Sequence, residues 1–200
     1  MQILRTDFLI RAGAFAETET FEAILKQVRE AIHEVQWPPG SGQFVLHPEK
    51  NGNGVRPIKD GCMRALQEEG WELEKRMRVL EEGQKRPGRL DAVKTLDDGR
   101  LFVVEWETGN ISSSHRALNK MAVGLLEGSL LGGILILPSR AMYRYLTDRI
   151  GNFRELEPYF PLWRSLRVRE GVLAVIEIEH DGTSKDVPRI RKGTDGRALV

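Results

Sequence analysis

Two stretches with the composition of β-strands, LDAVKTL and RLFVVEWE, stand on either side of Asp97-Asp98-Gly99. An Asp-Gly pair between two such stretches is a strong signal for a β-hairpin. Two further strand candidates follow, the continuous apolar run ILILP at 134–138 and VLAVIEIE at 172–179. A short apolar run such as ILILP is typical of a strand buried on both faces. Because helical patterns separate the later strands, the order predicts an α/β fold, a mixed central β-sheet flanked by helices.

Apolar residues at helical spacing mark five segments before and between these strands. The predicted helices cover 18–36, about 57–70, 112–127, 139–149 and 153–160. Thr20 is the candidate N-cap of the first helix, and Gly70 ends the second. Residues 38–55 are predicted to form an irregular loop, with a break at Pro87-Gly88 before the hairpin. Neither a repeat nor a linker divides the sequence, so residues 1–200 are predicted to form a single domain.

Composition and charge exclude some classes of protein and leave others open. The formal net charge of +1 gives no argument for a nucleic-acid partner, although a DNA enzyme with a local basic face and an acidic centre can be near neutral. The single cysteine, Cys62, excludes an internal disulfide, and four separated histidines argue against a structural zinc site. No apolar run reaches the roughly 18 residues of a membrane span, and the charged amino terminus argues against a signal peptide. We therefore expect a protein of a reducing cytoplasm with no membrane partner.

Carboxylates gather where the predicted hairpin ends. Residues two apart on a strand point to the same face, so Glu105 and Glu107 project together while the apolar residues between them face the core. The hairpin lets Asp91 approach Glu105. Three acids on one small area repel one another, and a hard divalent cation, magnesium above all, would compensate their charge. The alternative is the solvated face of an antiparallel pair, which the spacing taken alone favours.

The segment after these acids shifts the balance towards a DNA-binding site. Ser112, Arg116, Asn119 and Lys120 fall on one face of the predicted helix. Serines at a helix start leave backbone N–H groups that suit a phosphate, and Arg and Asn match guanine and adenine edges in the major groove. A solvated helix face is the alternative. A DNA-reading helix directly after a metal-binding strand is the more specific combination.

Two other patterns do not predict a site. His115 follows three serines, but neighbouring helix residues point in different directions and no third orienting group for a hydrolase is evident. The glycines of NGNG at 51–54 neither follow a strand nor precede a helix as a phosphate loop requires, so they are interpreted as turn residues.

Five stretches of the sequence, all in the same order, resemble the BamHI family of type II restriction endonucleases. They are NGNGVRPIK, GRLDAVK, VEWETGNISSSHRALNKM, RYLTDRIGNFRELEPYF and VPRIRKGTDG, between about residues 40 and 196. The first 35 residues resemble that family poorly. The resemblance implies the PD-(D/E)xK nuclease fold, with its mixed sheet flanked by helices. Glu107 stands where the lysine of that motif is expected, a substitution that the BamHI family shares.

The resemblance also implies roles for individual residues. Asp91, Glu105 and Glu74 would bind metal with the carbonyl of Trp106, and Glu107 would act as general base or orient the attacking water. All four acids would belong to the catalytic centre. The implied DNA contacts come from Asn110, Ser112, Arg116, Asp148 and Arg149 at base-reading positions and from Lys59.

The function implied by the resemblance is magnesium-dependent double-strand cleavage of GGATCC after the first G, with Mn²⁺ as a substitute ion and no organic cofactor. The partners would be palindromic duplex DNA and a second copy of the chain, in a bacterial cytoplasm. Leu126 and Glu127 stand where the family has basic residues at the dimer helices, and the contacts of the family's longer basic extension are not expected here. A structure-specific repair nuclease of the same fold and a DNA-binding module without catalysis remain the alternatives.

Overall fold

The computed structural model describes residues 1–76, 89–147 and 150–193, and helices cover both faces of its sheet. The strands are β1 (Gln2–Ala12), β2 (Val45–Leu46), β3 (Glu72–Arg76), β4 (Arg89–Thr95), β5 (Leu101–Trp106), β6 (Leu130–Pro138), β7 (Gly171–Glu179) and β8 (Gly182–Thr183). The α-helices are α1 (Glu19–His33), α2 (Arg56–Glu68), α3 (Ile111–Glu127), α4 (Arg140–Tyr143), α5 (Phe153–Leu156) and α6 (Phe160–Arg164), with short 3-10 turns at Phe15–Glu17 and Glu157–Tyr159.

The main sheet has six strands in the order β1-β7-β6-β5-β4-β3. Strands β5, β6 and β7 run parallel, whereas β3, β4 and β5 form an antiparallel meander and β1 runs antiparallel to β7. A separate parallel pair joins β2 to β8. The predicted mixed sheet flanked by helices is therefore confirmed.

Two apolar layers hold the helices to this sheet. On one face, α1 and α2 pack against a layer that includes Phe102 and Val104 of β5. On the other face, α3, α5 and α6 pack against a layer that includes Val103. A side chain at Gly132 would come within 2.1 Å of the Phe102 ring, so this position in β6 has room for glycine alone. The interior strands are thus buried on both faces, as their apolar runs predict.

Two strands of the main sheet, and the short strands β2 and β8, were not predicted. The amino-terminal residues form β1 at one edge of the sheet, and the charged stretch ELEKR forms β3 at the other. Strand β6 is also longer than predicted and begins at Leu130.

Several predicted helix bounds were wrong. Thr18, not Thr20, caps α1, because its side chain accepts a hydrogen bond from the backbone N–H of Phe21 at 3.2 Å. Helix α4 ends at Tyr143, and Leu146 instead forms an isolated bridge with Asn53. The segment predicted as one helix over 153–160 is broken into α5, a 3-10 turn and the start of α6. The predicted break at Pro87-Gly88 lies outside the described residues.

The parallel strands fix where functional side chains can gather. Strand β5 ends at Trp106, and α3 begins five residues later at Ile111 on the same edge of the sheet. In α/β folds this carboxyl edge is where ligands bind. Among the described residues, no helix is both long enough and apolar enough to cross a membrane.

Candidate active site

Asp91 and Glu105 lie side by side on neighbouring strands. The antiparallel register pairs Ala92 of β4 with Val104 of β5, which sets Asp91 opposite Glu105 one step further on. Both carboxylate side chains are 12% exposed. Asp91 Oδ2 also accepts a hydrogen bond from the backbone N–H of Trp106 at 2.8 Å, which fixes the carboxylate across the end of β5.

Each of these two carboxylates has its own ammonium partner. Lys59 of α2 donates to Asp91 Oδ1, and Lys120 of α3 donates to Glu105 Oε1 at 2.7 Å. Both lysine side chains are largely buried, at 18% and 23% exposed. Because α2 and α3 pack on opposite faces of the sheet, the two cations reach the acids from opposite sides.

Burial disfavours the charged form of two of the predicted acids, Glu105 and Glu107. Burial, with the charge of Asp91 added to it, raises the pKa of Glu105 to about 7 in spite of Lys120. Burial also raises the pKa of Glu107, and the N–H of Gly109 opposes that shift. A cation close to either carboxyl group would favour its charged form and oppose this rise in pKa.

The carboxylate oxygens of Asp91 and Glu105, on two adjacent strands, are the kind of ligand that a hard divalent cation prefers. Within the described residues, no group of three His, Cys, Asp or Glu side chains is arranged to hold a metal ion. The lysines contact the acids instead. A cation entering between Asp91 and Glu105 would therefore exchange with the ammonium groups of Lys59 and Lys120.

Glu107 lies in the short connection from β5 to α3. Its backbone N–H donates to the carbonyl of Ile136 at 3.1 Å, and its Oε1 accepts from the N–H of Gly109 at 2.5 Å. A Cβ at Gly109 would come within 2.9 Å of both Glu107 Oε1 and Ser113 Oγ, so only glycine allows this approach. The carbonyl of Gly109 accepts from the N–H of Gly151 at 2.9 Å. The connection thereby ties Glu107 to the segment that follows residues 148–149.

Glu74 lies on the edge strand β3, beside this acid pair. Its backbone has φ 53°, in the left-handed region, and its side chain is 50% exposed. Its carboxylate is 3.8 Å from Lys59 Nζ and 3.5 Å from Arg89 Nη1. Glu74 and Asp91 therefore share one lysine, which places the fourth predicted acid at the same site.

A cavity of about 630 Å³ opens next to these acids. It is lined by Arg56, Lys59, Asp60, Met63, Leu73, Glu74, Arg89, Asp91 and Thr108. Sequence reasoning missed Arg56, Asp60, Arg89 and Thr108. Arg89 could have been predicted from the sequence, because it lies two residues before Asp91 on a strand and strand alternation places such residues on one face.

The start of α3 lies at the same edge of the sheet. The Asn110 side chain caps the helix by accepting from the N–H of Ser113 at 3.2 Å. Ser112 and Arg116 are exposed, and Arg116 Nη2 donates to Ser113 Oγ at 3.2 Å. Asp148 and Arg149, the remaining predicted base-reading residues, lie outside the described residues.

The predicted DNA-facing surface of α3 was partly wrong. Asn119 Oδ1 accepts a hydrogen bond from Trp163 Nε1 at 3.0 Å, and Lys120 turns to Glu105. Both side chains have partners within the protein, although Asn119 stays exposed together with Ser112 and Arg116. His115 packs edge-on against Tyr159 with 4.6 Å between ring centroids.

Paired acids at the end of a strand in a mixed sheet, with a polar helix start beside them, are typical of nucleases that use a divalent ion. The comparisons agree with that class. The family model described as restriction endonuclease BamHI matches residues 1–197, including the first 35, which had resembled the family poorly. The chain belongs to the BamHI family of restriction endonucleases.

Two curated relatives are similar over most of the chain. The type II restriction enzyme OkrAI of Oceanobacter kriegii is 53% identical over 199 residues, covering 100% of both chains. The type II restriction enzyme BamHI of Bacillus amyloliquefaciens is 38% identical over 184 residues, covering 86% of this chain and 84% of that one. The chain is accordingly a type II site-specific deoxyribonuclease.

The fold agrees with a solved relative. The crystal structure of restriction endonuclease BglII complexed with a DNA 16-mer matches with a TM-score of 0.56 at 11% identity, covering 94% of this chain and 88% of that one. The likeness identifies the PD-(D/E)xK-like α/β fold.

Proposed function

We propose that this chain, as one endonuclease domain, cuts duplex DNA at GGATCC after the first G, in a magnesium-dependent reaction in the bacterial cytoplasm. The observation that carries the proposal is the buried pair of Asp91 and Glu105, set beside the exposed Ser112 and Arg116 at the start of α3. Water attacks the phosphorus, the bond to the 3′ oxygen breaks, and the products carry a 5′-phosphate and a 3′-hydroxyl.

Asp91, Glu105 and Glu74, with the carbonyl of Trp106, would hold the cation. When bound, a divalent ion supplies charge stabilisation and a water of lowered pKa. Glu107 orients the attacking water and accepts its proton. Burial raises the pKa of Glu107, which makes its carboxylate a stronger base near neutral pH.

The exposed face of α3 supports base recognition in the major groove. Arg116 suits guanine O6 and N7, and Asn110 and Ser112 suit the inner A·T pairs. Asp148 can accept from cytosine N4, and Arg149 can read guanine as Arg116 does. We assign Arg116, Asp148 and Arg149 to the outer G·C pairs, and Lys59 to a DNA contact once it leaves Asp91.

An apolar patch supports a homodimer. Leu126, Tyr159 and Leu162 are 51%, 51% and 60% exposed. Asn119 contacts Trp163, and Leu126 lies two turns further along that face of α3, so the patch runs from α3 to α6. A palindrome is read by a two-fold protein. Leu126 gives this interface an apolar residue where a basic one was expected.

Leu162→Asp is expected to convert the dimer into a monomer, because a charge would be buried in an apolar interface. Sedimentation velocity of the free protein measures the change. The matched control is Leu4→Asp, since Leu4 is also 50% exposed but lies on the edge strand β1. A Leu162→Asp protein that stays dimeric would move the interface elsewhere.

Cleavage is expected to require Mg²⁺ or Mn²⁺ and to stop in Ca²⁺, which accepts looser coordination and activates water less. Binding of the cognate duplex should persist in Ca²⁺. Gel analysis of cleavage and fluorescence anisotropy of binding, with each ion in turn, separate the two steps. Full cleavage in EDTA would contradict the metal assignment.

Digestion of a plasmid of known sequence tests the proposed site. Discrete fragments with ends in GGATCC support it, whereas cuts at branches or mismatches would indicate the structure-specific repair nuclease. Specific binding with no cleavage in Mg²⁺ would indicate a DNA-binding module. Because the chain retains all four acids, Glu74, Asp91, Glu105 and Glu107, that last alternative is disfavoured.

A further inference from the structure

Two arginines without a role in the acid site, Arg56 and Arg89, line its cavity. Arg56 is the first residue of α2, and Arg89 is the first residue of β4. Lys59 lines the same cavity, so three cations lie near the acids there. The arginine side chains are 54% and 56% exposed, in contrast to 18% for Lys59.

The protein holds these two arginines loosely. Arg56 Nε is 3.8 Å from Asp60, and Arg89 Nη1 is 3.5 Å from Glu74, and both acids are also about half exposed. Such exposed pairs add little to stability. Lys59, by contrast, is a buried partner of Asp91. Arg56 and Arg89 can therefore leave their acids for a better anion.

The chemistry of the cavity indicates what that anion is. A guanidinium binds two oxygens of a phosphate at once, which an exposed carboxylate at 3.5–3.8 Å does not match. The formal net charge of +1 means that attraction to the DNA backbone has to come from local cations. Arg89 and Asp91 line the same cavity, so a phosphate bound by Arg89 lies beside the acid pair.

We propose that Arg56 and Arg89 each bind a backbone phosphate adjacent to the scissile one, independently of base sequence. The inference rests on the DNA cleavage proposed above, because it takes the strand through this cavity. It adds a phosphate subsite that holds the strand in place while α3 reads the bases.

The salt dependence of DNA binding tests the subsite. Each lost phosphate contact makes the slope of log K, with K the association constant, against log salt less negative by about 0.9. Because the proposed dimer makes each contact twice, Arg56→Ala and Arg89→Ala are each expected to make that slope less negative by about 1.8, and the double variant by about 3.6. At about 0.1 M salt, the two contacts that a single variant loses from the dimer weaken binding about sixtyfold. Binding is measured by anisotropy in Ca²⁺, with one duplex containing GGATCC and one without it.

The matched control is Arg169→Ala. Arg169 is exposed and precedes the amino end of β7, at the edge of the sheet opposite Glu105. Its slope and affinity should equal those of the parent protein. Arg89→Lys keeps the charge but loses the two-pronged contact, so it should keep the slope and bind less tightly than the parent.

Loss of affinity by the same factor for both duplexes supports the phosphate subsite. An unchanged slope in both alanine variants overturns it, as does a loss confined to the GGATCC duplex, which would make the arginines base-reading residues. Thermal melts check that the variants fold. The duplex without GGATCC makes this test independent of the proposed recognition sequence. If that sequence is wrong, the change in slope can still be measured with this duplex.

Discussion

Asp91→Asn and Glu105→Gln are each expected to abolish DNA cleavage while specific binding is kept or strengthened. Each substitution removes a negative charge from the pair that would hold the cation. It also removes repulsion between a carboxylate and the scissile phosphate. A metal ion supplies several kcal/mol of transition-state stabilisation, and a loss of about 4 kcal/mol lowers the rate about a thousandfold.

Single-turnover cleavage in Mg²⁺ and anisotropy in Ca²⁺ measure the two effects separately. The matched control is Asp98→Asn, at the far end of the same hairpin, where Asp98 is 45% exposed and bonded to Arg100. That variant should cut at the parent rate. A near-parental rate in either Asp91→Asn or Glu105→Gln would show that the buried pair is not the catalytic centre.

The acid pair could be predicted from sequence because its cause is local. The Asp97-Asp98-Gly99 turn brings the two strands of the hairpin together, and the period of two on β5 then fixes which residues share a face. Asp91 and Glu105 therefore meet whatever the rest of the chain does. The same local reasoning would have found Arg89 on the face of Asp91.

The edge strands could not be predicted in the same way. Strand β3 has the sequence ELEKR, in which charged residues leave no apolar signal, and β1 has register shifts between Ile3/Arg5 and Phe8/Ile10 that break its alternation. What makes both segments strands is pairing: β3 pairs with the next strand, β4, and β1 pairs with β7, which lies near the other end of the sequence. The position of Glu74 depends on this pairing, so the sequence alone does not place it.

The direction in which the Lys120 side chain points also depends on tertiary structure. Helical spacing put it on the face predicted to meet DNA, but the buried charge of Glu105 needs a partner and Lys120 is within reach. A charged side chain on a helix face therefore does not identify a DNA contact when a buried acid lies under it. Arg116 stays exposed although its charge acts on the nearby Glu107.

Arg116→Ala is expected to lower cleavage of GGATCC by orders of magnitude and to reduce the preference for its outer G·C pairs. One bidentate contact to guanine contributes roughly 1–3 kcal/mol of discrimination. A palindrome read by a dimer contains the contact twice, so the loss doubles to roughly 2–6 kcal/mol, which is about thirtyfold to more than ten-thousandfold in affinity. Arg149→Ala is expected to act in the same way.

The readout is the ratio of cleavage rates on GGATCC and AGATCT, which share the inner GATC and differ in both outer pairs. The ratio should fall in Arg116→Ala, and cleavage should remain centred on GATC. Cleavage ends centred on another sequence would contradict the proposed site as a whole. A ratio equal to that of the parent would remove Arg116 from the outer pairs.

Arg116→Lys separates base reading from an effect on the catalytic acid. The positive charge of Arg116 lowers the pKa of Glu107 against the larger effect of burial, so its loss could slow the reaction without any change in base preference. Lysine keeps that charge but lacks the planar fork that matches guanine O6 and N7. If Arg116 reads the base, Arg116→Lys keeps little of the preference for GGATCC. If Arg116 instead acts through its charge on Glu107, Arg116→Lys cleaves GGATCC at the parent rate. The ratio of the cleavage rates on GGATCC and AGATCT then equals that of the parent in both Arg116→Ala and Arg116→Lys.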